Sequence, residues 1–121
     1  MGLYNFQPRF VPFILDGRKT HTIRAVRANP DKPGNTLHLY SGLRTKRAKL
    51  LARVKCTDIE NIWISGTGAV VSINGICLNP DEKEQLACRD GFSSFDEMVR
   101  FWTTPKDRLP FEGQIIHWKK T

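Results

Sequence analysis

The chain of 121 residues has 19 lysine and arginine residues against 12 aspartate and glutamate residues, which gives a net charge of +7. Its hydrophobic fraction of 40% and charged fraction of 26% are typical of a soluble globular protein and exclude a largely disordered chain. No apolar run approaches the roughly 20 residues of a membrane-spanning helix. The length predicts a single domain over residues 1–121, and the basic charge favours polyanions such as RNA or DNA as partners.

The first residues lack the charged and apolar regions of a secretory signal, so we expect a cytoplasmic protein that does not enter a membrane. Cys56, Cys77 and Cys88 are an odd number without a close pair, which indicates neither a disulfide framework nor a zinc site. We expect each of them to be a small buried apolar residue. The sequence implies no metal and no cofactor.

The N-terminal part, at 4–6 and 9–10, predicts a strand or an extended entry to a short helix over the apolar run 10–15. Pro12 is tolerated in the first turn of such a helix, and Gly17 is typical of its C-terminal end. From Thr20 onward, alternation with a period of two predicts a strand. Thr20, Thr22 and Arg24 should therefore share one face of that strand.

The stretch 17–24, GRKTHTIR, concentrates three cations, two hydroxyls and an imidazole. Lys19 lies at the bend before the strand and can turn toward the face of the threonines. A lysine can activate a threonine hydroxyl as a nucleophile if burial or neighbouring cations lower the pKa of its amine. The same pattern also fits a basic turn that leads into an edge strand with solvated threonines.

The middle of the chain predicts strands around a basic loop. Turn-forming residues dominate 27–34, and alternation over 35–40 predicts a half-buried strand with His38 exposed. Arg44, Lys46 and Arg47 lie in a basic loop before an apolar strand at 50–54. This loop can contact phosphates, or it can be a solvated charged loop.

Further strands are predicted at 56–63 and 69–78, and Asn74-Gly75 is the strongest short hairpin signal of the chain. Asn79 and Pro80 begin a helix that should end near Cys88. A second helix follows Ser93 or Ser94, and we expect four of its residues in the core: Phe95, Met98, Val99 and Trp102. A closing strand is predicted over 113–118.

Asp90 lies in the corner between the two predicted helices, next to a glycine. A carboxylate in such a corner is usually a cap or turn residue. It can also face a site formed with the strand that follows Lys19. Both interpretations are compatible with the sequence.

Four segments of the chain, in the right order and over nearly its whole length, resemble the ASCH domain family: 17–24, 32–35, 90–92 and 115–118. The stretch 42–46 is similar to that of phage and prophage members. The resemblance implies an α+β fold, a PUA-like and mostly antiparallel β-barrel with two to three short helices packed at its side.

The resemblance also implies RNA recognition. One small bacterial branch has a similar Gly-Arg-Lys-Thr-x-Thr-Ile-Arg motif and hydrolyses the N4-acyl amide of acetylated cytidine. Its proposed catalytic set is a lysine, a threonine three residues later and a glutamate ahead of the second helix. Lys19 and Thr22 match the first two, and Asp90 stands where the glutamate is expected, one methylene shorter. Other similar members are linked to ribonuclease activity.

The leading hypothesis is a hydrolase that recognises a base or modified nucleoside and uses Lys19, Thr22 and Asp90 in catalysis. Substrate or RNA binding is predicted for a second set of residues: Arg18, Thr20, Arg24, Arg44, Lys46 and Arg47. One alternative is an RNA-binding module without catalysis, in which the basic loop follows phosphates. Another is a ribonuclease in which Lys19, Arg24 and His21 assist transfer at phosphorus.

Overall fold

A computed structural model describes residues 2–120. These residues form seven strands and three short α-helices. The strands are β1 (Gly2–Phe6), β2 (His21–Arg24), β3 (Thr36–Ser41), β4 (Lys49–Ile64), β5 (Val71–Ile73), β6 (Ile76–Cys77) and β7 (Phe111–Lys120). The helices are α1 (Val11–Leu15), which follows a 3-10 turn at Pro8–Phe10, α2 (Pro80–Arg89) and α3 (Phe95–Thr103).

The strands form one curled, mixed sheet, a half-barrel, around the long strand β4. The first part of β4 pairs antiparallel with β3, and residues 54–64 pair antiparallel with β7. Parallel pairing joins β1 to β3, and antiparallel pairing joins β2 to β7 and β5 to β6. The prediction of an α+β fold rich in strands is therefore confirmed. The sheet includes both β1 and β2, the strands that carry residues of the candidate site.

A continuous β4 replaces the two strands predicted at 50–54 and 56–63. Its register with β7 shifts between Cys56 and Asp58, where one additional residue interrupts the alternation of buried and exposed side chains. The bulge breaks the sequence pattern but not the strand, because hydrogen bonds to β7 continue on both sides of it. The predicted hairpin is confirmed: Asn74 and Gly75 have φ of 52° and 81°, although β5 and β6 are shorter than expected.

Local caps define α2 and α3 as the sequence predicts. The Asn79 side chain accepts from Glu82 N at 2.8 Å and the Glu82 side chain accepts from Asn79 N at 3.0 Å, which is a capping box. Ser94 accepts from Glu97 N at the start of α3. Met98 and Trp102 are buried in the core, and Phe95 packs against it. None of the helices within residues 2–120 is long and apolar enough to cross a membrane.

Two expectations about burial are wrong. Only Cys56 is buried among the cysteines; Cys77 and Cys88 are exposed because one lies on the two-residue strand β6 and the other on the outer face of α2. His38 is half-buried, since β3 lies between β1 and β4. Register places it between Leu3 and Arg53.

Candidate active site

A turn after α1 places Lys19 inside the protein. Gly17 has a φ of +85°, a conformation that glycine adopts without steric cost, as its predicted position at the helix end requires. The backbone then folds back, and Lys19 N donates to Phe13 O at 2.9 Å. From His21 the chain pairs with β7, so the predicted strand is present.

Lys19 and Asp90 form a buried ion pair. The Nζ of Lys19 lies 2.5 Å from Asp90 Oδ1 and donates to the backbone carbonyl of Asp90 at 2.8 Å. The two residues are 3% and 6% exposed, so little water screens the pair. Asp90 is also the C-cap of α2. Asp90 is therefore both a helix cap and a residue that faces the Lys19 site, the two interpretations that the sequence left open.

The residue after Asp90 must be small. Gly91 has a φ of +100°, and a Cβ at this position would lie 2.9 Å from Phe10 Cδ1. Glycine allows the turn between α2 and α3 to pack against the aromatic ring. A larger residue after Asp90 would therefore disturb the turn that carries this carboxylate.

Thr22 and Arg24 lie on the same face of β2, as the alternation predicts. Arg24 Nε donates to Thr22 Oγ1 at 3.0 Å, and Arg24 Nη2 donates to the backbone oxygen of Asn5 at 2.6 Å. The guanidinium lies 5.0 Å from the centre of the Phe6 ring. A buried hydroxyl that accepts from a cation is in an environment that stabilises negative charge on its oxygen.

All four of these side chains line one cavity of about 220 Å³: Lys19, Thr22, Arg24 and Asp90. Aromatic residues from three parts of the chain form its walls, namely Phe6, Phe10, Phe101 and Trp102. The volume is below the ~300–1,000 Å³ of sites for drug-sized ligands, which suits one planar heterocycle.

His21 is the buried titratable residue nearest to the ion pair. Its Nε2 lies 3.2 Å from Asp90 Oδ1, but the two atoms are not aligned for a hydrogen bond, so the contact is electrostatic. The His21 ring makes an edge contact with that of His117, with centroids 5.6 Å apart. His117 Nε2 in turn lies 2.6 Å from Glu60 Oε1. A row of titratable groups thus extends from the cavity across the sheet.

Burial shapes the protonation of this cluster. It lowers the pKa of the Lys19 amine, although the Asp90 carboxylate opposes the change. Burial alone would raise the pKa of Asp90, but the charge of Lys19 and the contact with His21 outweigh it and hold that pKa below 3.8. Burial also lowers the pKa of His21 below 6.5. Asp90 is therefore ionised and His21 neutral at pH 7, and Lys19 gives up its proton more readily than an exposed lysine.

Five residues of the predicted binding set lie outside the cavity. Arg18 is exposed, pairs with Asp16 at 2.6 Å and stacks on Phe13. Thr20 is exposed, and its backbone oxygen accepts from Trp118 N. The other three, Arg44, Lys46 and Arg47, are exposed in the loop between β3 and β4.

The loop nevertheless lies next to the cavity. The backbone N of Leu43 donates to Asn5 Oδ1 at 2.9 Å, and Asn5 lines the cavity. This hydrogen bond fixes the start of the basic loop beside the rim.

Sequence patterns gave no signal for several cavity residues. Asn5, Gln7 and Arg108 contribute polar groups, and Trp102, predicted only as a core residue, is both core and cavity wall. They come from β1, from the start of the 3-10 turn that follows it, from α3 and from the loop before β7, which meet only in the folded protein. Within residues 2–120, His, Cys, Asp and Glu form no cluster of three that could hold a metal ion.

Comparison with protein-family models, with curated proteins and with solved structures finds no match for this chain. The family resemblance of the sequence therefore remains a prediction, and the site must be interpreted from its own geometry.

Proposed function

We propose that the chain is an ASCH-type domain with a PUA-like fold, which binds a modified cytidine and hydrolyses its N4-acyl amide. One observation carries the proposal: the buried Lys19–Asp90 pair opens onto the same small cavity as Thr22 and Arg24. A buried ion pair is an expensive way to stabilise a fold, and shifted pKa values concentrate at functional sites. The chemistry of these residue types supports amide hydrolysis.

In the proposed reaction the Thr22 oxygen attacks the acyl carbonyl carbon, and neutral Lys19 takes the hydroxyl proton. Lys19 is an ammonium paired with Asp90 before the reaction. Burial lowers the pKa of its amine and so makes the neutral form that takes the proton accessible, and Asp90 stabilises the ammonium that the transfer restores. Arg24 Nε donates to Thr22 Oγ1, so it orients the nucleophile and stabilises negative charge on that oxygen. The C–N bond then breaks, the exocyclic amine of cytosine receives a proton from Lys19, and water hydrolyses the acyl-Thr22 ester to release the free acid.

Asp90 can perform this role in place of a glutamate. Its side chain is one methylene shorter, yet Oδ1 reaches Lys19 Nζ at 2.5 Å because Asp90 is the cap of α2 and the following turn packs against Phe10. Lys19 and Thr22 share no hydrogen bond within the described residues. Catalytic hydrogen bonds of this kind often tighten only when substrate binds.

The experiment measures turnover of N4-acetylcytidine through the amount of cytidine released. Thr22→Val is nearly isosteric and removes the nucleophile together with the acceptor for Arg24 Nε, so we expect activity to fall by about 10²-fold or more. Thr36→Val changes an exposed threonine of β3 in the same way and should leave the rate unchanged. No turnover by the wild type, or equal rates for Thr22→Val and wild type, would overturn the proposal.

A second candidate, base recognition in RNA without chemistry, is favoured by the hydrogen bond between Leu43 and Asn5. It fixes the basic loop beside the cavity, so a strand with one base in the cavity can place its phosphates on Arg44, Lys46 and Arg47. Tight, salt-sensitive RNA binding without turnover would support this candidate. RNA cleavage that is lost in Thr22→Val and Lys19→Met would point to a ribonuclease instead.

A further inference from the structure

The charges that line the cavity do not balance. Three cations and one carboxylate face it, namely Lys19, Arg24, Arg108 and Asp90. Asp90 neutralises Lys19 by direct contact. Neither Arg24 nor Arg108 makes an ion pair with any residue in the described part of the chain. Two guanidinium groups of the cavity therefore have no ion-pair partner among residues 2–120.

Arg24 is held by neutral partners, the Thr22 hydroxyl and the Asn5 carbonyl. It is half-buried, and burial lowers the pKa of its guanidinium, as does the nearby charge of Arg27. A cation removed from water without an anion costs free energy that a bound anion would recover. The protein keeps this charge at the cavity wall.

Arg108 is fixed at the edge of the same cavity although the residue is exposed. Its Nε donates to Trp102 O at 3.3 Å, and its Nη2 donates to Phe101 O, both at the end of α3. The guanidinium also lies 5.0 Å from the centre of the Phe101 ring and 5.4 Å from that of Trp102. These contacts orient it before any ligand binds, which lowers the entropy cost of binding.

We infer that Arg24 and Arg108 form an anion subsite of this cavity and that the subsite binds the phosphate of a phosphorylated nucleoside. Each guanidinium uses its Nε and Nη2 for the protein, so the Nη1 of each keeps its donors for a ligand. Guanidinium groups match phosphate oxygens in geometry and charge. The inference rests on the proposed function for the base and adds the substrate class, a nucleotide in preference to a free nucleoside.

The test compares binding of cytidine, cytidine 5′-monophosphate and cytidine 3′-monophosphate by calorimetry. We expect the wild type to bind at least one monophosphate about tenfold more tightly than cytidine, because a hydrogen bond between charged groups is stronger than one between neutral groups. Arg108→Gln should reduce this ratio to near one. Arg100→Gln removes an exposed arginine of α3 that does not line the cavity and should keep the ratio.

A short RNA with one internal cytidine identifies the source of the phosphate. If the RNA binds more tightly than both monophosphates, and Arg108→Gln removes this difference in affinity, the subsite is confirmed and binds a phosphodiester. Equal affinity of the wild type for cytidine, both monophosphates and the RNA would overturn the subsite, as would an unchanged ratio in Arg108→Gln.

Turnover separates this inference from the proposed function. The wild type could hydrolyse N4-acetylcytidine and its 5′-monophosphate equally well and also bind cytidine and its monophosphates equally well. This result would support the hydrolase and contradict the anion subsite. If neither compound is hydrolysed but the protein binds a monophosphate more tightly than cytidine and needs Arg108 to do so, the anion subsite is supported and the hydrolase is contradicted.

Discussion

The ammonium of Lys19 meets the carboxylate of Asp90 at 2.5 Å in the interior, although 71 positions separate the two residues in the chain. Each is nearly inaccessible to water. Lys19 comes from the turn before β2 and Asp90 from the end of α2, so the pair connects the sheet to the helices. The stability of the fold and the chemistry of the site therefore depend on the same contact.

Removing one partner of the Lys19–Asp90 pair should destabilise the fold more than removing both charges. Lys19→Met leaves a buried carboxylate without its counter-ion, and we expect the free energy of unfolding to fall by about 3–5 kcal/mol. The double variant Lys19→Met/Asp90→Asn should recover part of this loss. Urea unfolding measures both, with the exposed Lys119→Met as the control, expected within about 0.5 kcal/mol of wild type. A single variant as stable as wild type would contradict a buried, charged pair.

Acid should destabilise the protein in two steps. The unfolded chain protonates His21 near pH 6.5, whereas the buried side chain resists protonation to a lower pH, so the free energy of unfolding decreases as the pH falls below about 6.5. The pKa of Asp90 is lowered in the fold, so its contribution is present above pH 3.8 and is lost as the pH falls through its depressed value.

Thermal unfolding at a series of pH values measures this dependence. His21→Gln should flatten the step just below pH 6.5 and leave the more acidic one. The matched control is His38→Gln, at a half-buried histidine of β3, a strand that does not pair with β2, and it should keep the first step. If both variants flatten the first step equally, His21 is not its origin.

The turn after Asp90 should tolerate no side chain. Gly91→Ala combines an unfavourable positive φ, which costs roughly 1–2 kcal/mol, with a contact of 2.9 Å to Phe10. Gly75→Ala, at a φ of +81° with open space around it, isolates the first cost. We expect Gly91→Ala to lose about 1–3 kcal/mol more than Gly75→Ala in chemical unfolding, from overpacking. Equal losses would show that the ring of Phe10 moves aside freely.

The basic loop should contribute to RNA affinity in proportion to its charges. Replacing Arg44, Lys46 and Arg47 by alanine should reduce the slope of log affinity against log salt by about two for single-stranded RNA, if each contacts one phosphate. A triple alanine variant at Arg100, Lys106 and Lys119 removes the same charge elsewhere on the surface. Equal salt slopes for the two variants would mean that net charge, not the position of the loop, attracts RNA.

Local signals predicted the ends of elements well. The Asn79 cap with Pro80, the cap at Ser94 and the Asn74-Gly75 hairpin are present as the sequence indicates, because each depends on contacts within a few residues. The face shared by Thr22 and Arg24 also followed from alternation alone. The break at 57 misled the prediction because a bulge interrupts alternation while pairing continues.

The sequence by itself determined which chemistry is present near Lys19 and which local turns hold it. Only the tertiary structure decided that Asp90 contacts Lys19, that Arg108 and the ring of Trp102 line the same cavity, and that Arg18 and Thr20 do not. The physical reason is that the pairing of β2 with β7 and the contact of Lys19 with Asp90, 71 positions apart, are long-range, and no local periodicity encodes such partners. Burial of the ion pair, and with it the shifted pKa values, arises from those contacts.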